Sequence, residues 1–401
     1  MTAALGLLLA ATIPMDLAVD HTGRAFEVGR TSSSVAWRVA APRESFGPWR
    51  TLLRLPAGQR PVRAALAEDG RGLIALHSGR APGRRVRVAG IDAAGRVGRL
   101  RTVTRGSRAD LAALAVARGG AAVVVWYAHR PDGRWRLEAA ARDPGDGAFG
   151  RPQAISPLQR VPCCTAVAAA IGDRGDVVLT WRSTLRPTAW AALRAAGARF
   201  RPPHRLAAES SDVPRAAIGA DGTAAVVYSL QRVPLRPGDG LRLHRAPAGE
   251  PFGAAEVVNP GGGVTLGDVT VTRAGHTAVA WVEPAGARVR LSEAGPGMPL
   301  SVAAVLGANA APRAPVLAAG DDGRAVVAWT ARAPSSRSPD ERVMAAQRVA
   351  SPAGFGEPVA LGEPWPSAAP RIVRLSPGAR ALVLWTRTGR RHSAHAVTRV
   401  P

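Results

Sequence analysis

A repeat of about 51 residues runs through almost the whole chain and constrains it more than any other feature. Its register marks are the turn glycines Gly23, Gly70, Gly120, Gly175, Gly222, Gly275, Gly323 and Gly378, spaced 47 to 55 residues apart in a chain of 401. Each glycine is preceded by one short apolar run and followed by a second, which in six of the eight units ends in an aromatic. The aromatic falls six residues after the glycine at Trp126, Trp181, Tyr228, Trp281 and Trp329, and seven after it at Trp385. A third run follows, then a loop carrying Phe46, Phe149, Phe200, Phe252 or Phe355, then a short fourth run. The runs are four to seven residues long, rich in Val, Ala and Leu, and bounded by Gly, Pro and Asp. That length and punctuation predict strands. The pairs Asp69-Gly70, Asp221-Gly222 and Asp322-Gly323 suit tight hairpins, where glycine accepts a positive φ. The second run is almost continuously apolar, as in Val123-Val124-Val125-Trp126, so that strand is predicted to be covered on both faces.

Four short strands per unit, repeated radially, are the pattern of a β-propeller. The expected fold is all-β, with eight four-stranded blades in one domain spanning 14–401. Seven blades are the alternative, because the second run of the first unit, Ala25 to Gly29, carries no Trp. The last unit has three runs (371–375, 379–385 and 393–400) and lacks a fourth. Residues 1–13 are apolar and are expected either to close the last blade as its missing strand or to act as a signal-peptide-like segment. No apolar stretch is long enough for a membrane-spanning helix.

The formal net charge is +24, from 53 basic and 29 acidic residues, and every basic residue is Arg. Codon bias in a GC-rich genome writes part of that excess, since Ala, Gly and Pro are also abundant. The remainder points to an anionic partner. The arginines are scattered, without a basic tail or a stripe interleaved with aromatics, so a protein or an anionic glycan or envelope polymer is expected rather than nucleic acid. Two adjacent cysteines, Cys163 and Cys164, exclude a disulfide framework and a Cys-rich metal site.

The units resemble the β-propeller repeats of secreted bacterial proteins, in the neighbourhood of WD-repeat, sialidase-type and quinoprotein propellers. The resemblance implies an exported, cell-envelope or extracellular protein. Sialidase-type propellers carry Ser-x-Asp-x-Gly-x-Thr-Trp boxes, whereas Asp221 and Gly222 are adjacent here and the aromatic comes too late. Those enzymes also use a Tyr nucleophile, and only Tyr127 and Tyr228 are available. Eight units and a vicinal cysteine pair are similar to quinoprotein dehydrogenases, but the nearest docking motif, 18–23, is one residue short and has no Trp after it. No Gly-x-Ser-x-Gly elbow, phosphate-binding loop or His-Glu-x-x-His is present. His77, His129 and the other histidines do not cluster in sequence and are expected to be structural.

Two features remain as candidate ligand-binding positions. Cys163 and Cys164 precede the first strand of the fourth unit, where an oxidised pair would form a rigid apolar lip. Arg63, Arg215 and Arg371 each lie seven residues before their turn glycine, and Arg313 lies ten before Gly323. If first strands line the channel, these four heads ring its mouth and hold an anion through paired, charge-assisted hydrogen bonds. The expected function is non-catalytic binding or scaffolding, with no cofactor, by a monomer. The alternative is a propeller enzyme of glycosidase or quinoprotein type.

Overall fold

The computed structural model describes residues 13–20, 22, 24–30, 34–41, 46–54, 62–79, 83–104, 108–160, 164–183, 187–209, 214–230, 239–259, 265–283, 287–308, 312–332, 341–349, 354–365, 368–375, 381–388 and 393–400. Strands dominate them, and the one helical feature among them is a 3-10 turn at Arg118–Gly120. They form eight consecutive antiparallel sheets, seven of four strands and a last one of three, each a simple meander. The first strands are Ile13–Val19, Val62–Leu66, Arg108–Val116, Cys164–Ile171, Arg215–Ile218, Thr265–Val271, Arg313–Ala319 and Ala368–Leu375. Each touches the first strand of the next sheet, and that of sheet 8 touches that of sheet 1, so the first strands form a closed ring. The fold is a β-propeller.

Six of the turn glycines do what their spacing requires; Gly23 and Gly378 lie outside the described residues. Gly70, Gly120, Gly175, Gly222, Gly275 and Gly323 have φ between 76° and 97°. An L side chain is strained there. At Gly222 a Cβ would also come within 3.0 Å of Asp176 in the preceding sheet. The glycine therefore lets one sheet's hairpin nest against its neighbour.

Alternation along the second strand explains its unbroken apolar sequence. In Ala122–His129, Val124 and Trp126 pack on sheet 2 with Ala75, Val86 and Val88, while Val123 and Val125 pack on sheet 4 with Val177, Leu179 and Trp181. The same offset places Tyr228 on sheet 4, Trp281 on sheet 5, Trp329 on sheet 6 and Trp385 on sheet 7. These aromatics are all essentially buried, so they are packing residues. Sheet 1 solves the seam differently. Its second strand, Ala25–Arg30, contributes Phe26, which stacks on Trp37 of the third strand at 5.4 Å, and sheet 2 answers with Ile74 and Leu76.

Third-strand arginines tie the sheets together. Arg194 of sheet 4 makes two hydrogen bonds to Asp143 of sheet 3, at 2.9 and 2.7 Å, and a third to the carbonyl of its own turn, Gly175, at 2.7 Å. Arg348 of sheet 7 repeats this with Glu293 of sheet 6, at 2.6 and 2.7 Å, and with Gly323. Arg38, Arg142 and Arg348 also lie over Phe46, Phe149 and Phe355. Part of the arginine excess is thus used inside the fold, and the repeated Phe is its partner.

Residues 1–12 lie outside the described residues, and with them nearly all of the segment expected to close the last sheet. Ile13 opens the first strand of sheet 1 and pairs with Arg30. Sheet 8 has the three strands expected from its three runs, Ala368–Leu375, Ala381–Thr388 and Ser393–Val400.

Candidate functional site

The ring of first strands encloses a channel. A cavity of about 710 Å³ occupies the half nearest the hairpin turns, walled by small side chains such as Ala64, Ala115, Ala170, Ala217 and Ala318. Alanines on the first strands of sheets 1 to 5 and 7, with Thr270 and Val271 in sheet 6, leave this space open. At the turn end the channel is crossed by charged side chains. Arg118 meets Glu68 at 3.0 Å, Arg273 meets Asp173 at 2.8 Å, and Arg273 Nη1 lies 3.9 Å from Glu68. Glu68 belongs to sheet 2 and Arg273 to sheet 6, which stand opposite each other in a ring of eight. Asp173 also accepts the Arg118 backbone N–H at 3.2 Å. The result is a crossbar over the channel.

The arginine positions singled out in sequence sit on the first strands, Arg63 opposite Ala75 and Arg215 opposite Val227 in the middle of their second strands. Arg63 is the second residue of its first strand and Arg215 the first residue of its own, and both are exposed. Each immediately precedes a residue of the cavity wall, Ala64 and Ala216. Arg313 opens the first strand of sheet 7 and Arg371 lies within that of sheet 8, but their side chains are outside the described residues. Arg215 has a local competitor. Burial raises the Asp268 carboxyl above the usual carboxylate range, and the Arg215 charge opposes that rise. Asp268 accepts the Leu317 N–H at 3.0 Å. Cys163 lies outside the described residues. Cys164 begins the first strand of sheet 4, and its side chain is likewise undescribed.

A polar cluster that sequence reading passed over sits between sheets 2 and 3. Asp110, on the first strand of sheet 3, holds His129 Nε2 at 2.8 Å and accepts a short hydrogen bond from Arg84 of sheet 2. His77 Nδ1 is 3.7 Å from the same carboxylate, and Arg108 stands at 4.0 Å. Burial pushes His77 down to about 4, with Asp110 opposing and Arg84 reinforcing the shift. Burial also lowers His129, against its bond to Asp110. Burial works against the Asp110 charge, but the bonds from Arg84 and His129 outweigh it and hold the carboxyl below its usual range. Both imidazoles are therefore neutral at pH 7 beside an ionised carboxylate. His129 and Arg108 are register partners, so the cluster gathers at the end of the sheets where first strands begin.

Tyr228 is not poised as a nucleophile. Its hydroxyl lies 3.1 Å from the Leu206 carbonyl oxygen and 3.2 Å from His244 Nε2, and burial pushes its pKa up to about 12. Among the described residues no group of three or more metal-ligating side chains converges, and no helix is long and apolar enough to cross a membrane.

No protein-family model matches the sequence, and no curated protein matches it. Among solved structures the chain is similar to a Hadza microbial sialidase, at 13% identity and a TM-score of 0.40 over 67% of this chain and 62% of that one. It is also similar to a family PL25 ulvan lyase, at 9% identity and a TM-score of 0.46 over 97% and 94% of the two chains. A prolyl endopeptidase gives 12% identity and a TM-score of 0.49 over 94% of this chain. The chain spans 62% of the sialidase and 55% of the prolyl endopeptidase.

Proposed function

We propose that the chain is a non-catalytic binding propeller of the extracellular or cell-envelope space. In this reading the channel mouth takes an anionic group of a partner protein or envelope glycan through Arg63 and Arg215. Arg313 and Arg371 complete the set on the first strands of sheets 7 and 8, and the cysteine pair Cys163 and Cys164 is the remaining candidate, Cys164 being the first residue of the first strand of sheet 4. The observation that carries the reading is the pairing of an open channel with exposed arginines, Arg63 and Arg215, each immediately before a residue of its wall. Arginine suits this task because its fork donates two parallel hydrogen bonds to a carboxylate or phosphate and does not lose its charge.

Calorimetric titration of the wild type and of the triple variant Arg63→Ala, Arg215→Ala, Arg371→Ala with citrate and with sulfate tests it. Loss of binding by tenfold or more in the variant is expected. Equal binding by both proteins, or turnover of a sugar or alcohol substrate by the pure wild type, overturns the reading.

A second, catalytic reading rests on the Asp110–His129 bond, the arrangement in which a carboxylate orients a general base. It requires a hydrolytic or eliminative activity that His129→Gln abolishes without changing the unfolding midpoint.

A further inference from the structure

We infer a second anion site, separate from the channel, in a groove on the outer rim between sheets 2 and 3, and assign it to a short acidic oligosaccharide. The groove encloses about 730 Å³, within the roughly 300–1,000 Å³ usual for ligand pockets. It exists because the outermost strands here are truncated. The fourth strands of sheets 2 and 3 are Arg101–Thr102 and Gln153–Ala154, two residues each, whereas sheet 1 has Arg50–Arg54 and sheet 7 has Val359–Trp365. With so little edge strand, the rim between these two sheets stays open.

The charge of the groove is one-sided. Arg99, Arg101 and Arg151 line it and are exposed, Arg142 lies deeper, and none of the lining residues is a carboxylate. Among the described residues, no ion pair engages Arg99, Arg101 or Arg151. This sets them apart from the arginines of the sheet seams, which are paired to Asp143, Glu256 or Glu293. Arg142 is already committed, with Nε donating to the Gly120 carbonyl at 2.8 Å and its guanidinium over Phe149. Burial lowers its pKa, and the nearby Asp146 opposes that shift. Three solvated guanidinium groups around one concave surface, without acidic neighbours in its lining, select a ligand carrying several anionic groups.

The floor selects against nucleic acid. The half-buried Phe149, backed by the buried Leu73 and Val88, supplies a small apolar floor for the hydrophobic face of one sugar ring. Phe149 is the single aromatic residue lining the groove, and one of its faces carries Arg142, so it offers no row of free rings on which successive bases stack. The exposed Thr102 at the rim adds a hydroxyl of the kind that pairs with sugar hydroxyls.

The test titrates tetragalacturonate, neutral maltotetraose and an eight-residue oligothymidylate into the wild type, into the triple variant Arg99→Ala, Arg101→Ala, Arg151→Ala, and into the channel variant described above. Tetragalacturonate is expected to bind the wild type and the channel variant alike, and to bind the groove variant at least tenfold more weakly. Maltotetraose and oligothymidylate are expected to bind at least tenfold more weakly than tetragalacturonate. No binding of tetragalacturonate, equal binding by the groove variant, or tighter binding of oligothymidylate each overturns the assignment. Because the channel variant is titrated in parallel, failure of the channel reading and failure of the groove are read separately. Arg101→Lys keeps the charge and removes the fork, and an intermediate affinity is expected for it.

Discussion

Acid should weaken this propeller through His77. In the folded protein burial holds His77 at about 4, against an ordinary value of 6.5. The charged groups around it are Asp110 across the seam, which favours its protonation, and Arg84 of its own sheet, which opposes it; His129 and Arg108 stand on the far side of the Asp110 carboxylate. Because the folded pKa is the lower one, the unfolded chain binds the extra proton. The stability that neutral His77 contributes is complete above about pH 6.5 and is lost as pH falls toward 4. Between pH 7 and pH 4.5 a single group shifted this far costs about 2.4 kcal/mol. Asp110 acts in the same direction but in a lower window, at and below the usual carboxylate range, so the two are separable. Urea unfolding of wild type and His77→Gln at pH 7 and 4.5 measures the difference. The variant should lose about 2 kcal/mol less than the wild type over that interval. Equal losses in the two proteins would refute the assignment of a neutral, buried His77 at the seam.

Two further outcomes follow from the packing. Trp329→Ala removes a fully buried side chain from the seam between sheets 6 and 7 and should cost about 3–5 kcal/mol in urea unfolding; a loss under about 1 kcal/mol would mean the seam does not depend on its aromatic. A double-mutant cycle on Arg194→Met and Asp143→Asn should give a coupling of about 1–3 kcal/mol, because their twin hydrogen bonds join two sheets across a mostly buried guanidinium.

The architecture was legible because each sheet repeats one physical problem. A glycine at positive φ and an aromatic six residues later recur as fixed marks, and both proved to be seam residues. Sheet 1 was less legible because Phe26 and Trp37 fill its seam from a different register. The short outer strands of sheets 2 and 3 carry little pattern at all, since two residues cannot show alternation. The Asp110 cluster was invisible for another reason. His77, Arg84, Asp110 and His129 come from three strands and a loop of two sheets, and only the packing of one sheet on the next brings them together. The crossbar is more remote still, because Glu68 and Arg273 share no motif and meet only once the ring is formed. The arginines of the groove are exposed and lack the carboxylate that stands opposite Arg194, Arg245 and Arg348, a property of neighbours in space.

The contact between the first strands of sheets 1 and 8 sets a kinetic problem. Every other seam joins sheets that follow one another in the chain and can form as soon as both are made. This one joins segments near opposite ends, so its closure carries the largest loop entropy in the molecule. Until it forms, sheet 1 and sheet 8 each present an uncovered face, the kind of surface through which partly folded β-proteins associate. Refolding yield should therefore fall with protein concentration more steeply than the stability of any single sheet would imply, and circular permutation into a loop between two sheets would move the vulnerable seam to a new place in the ring.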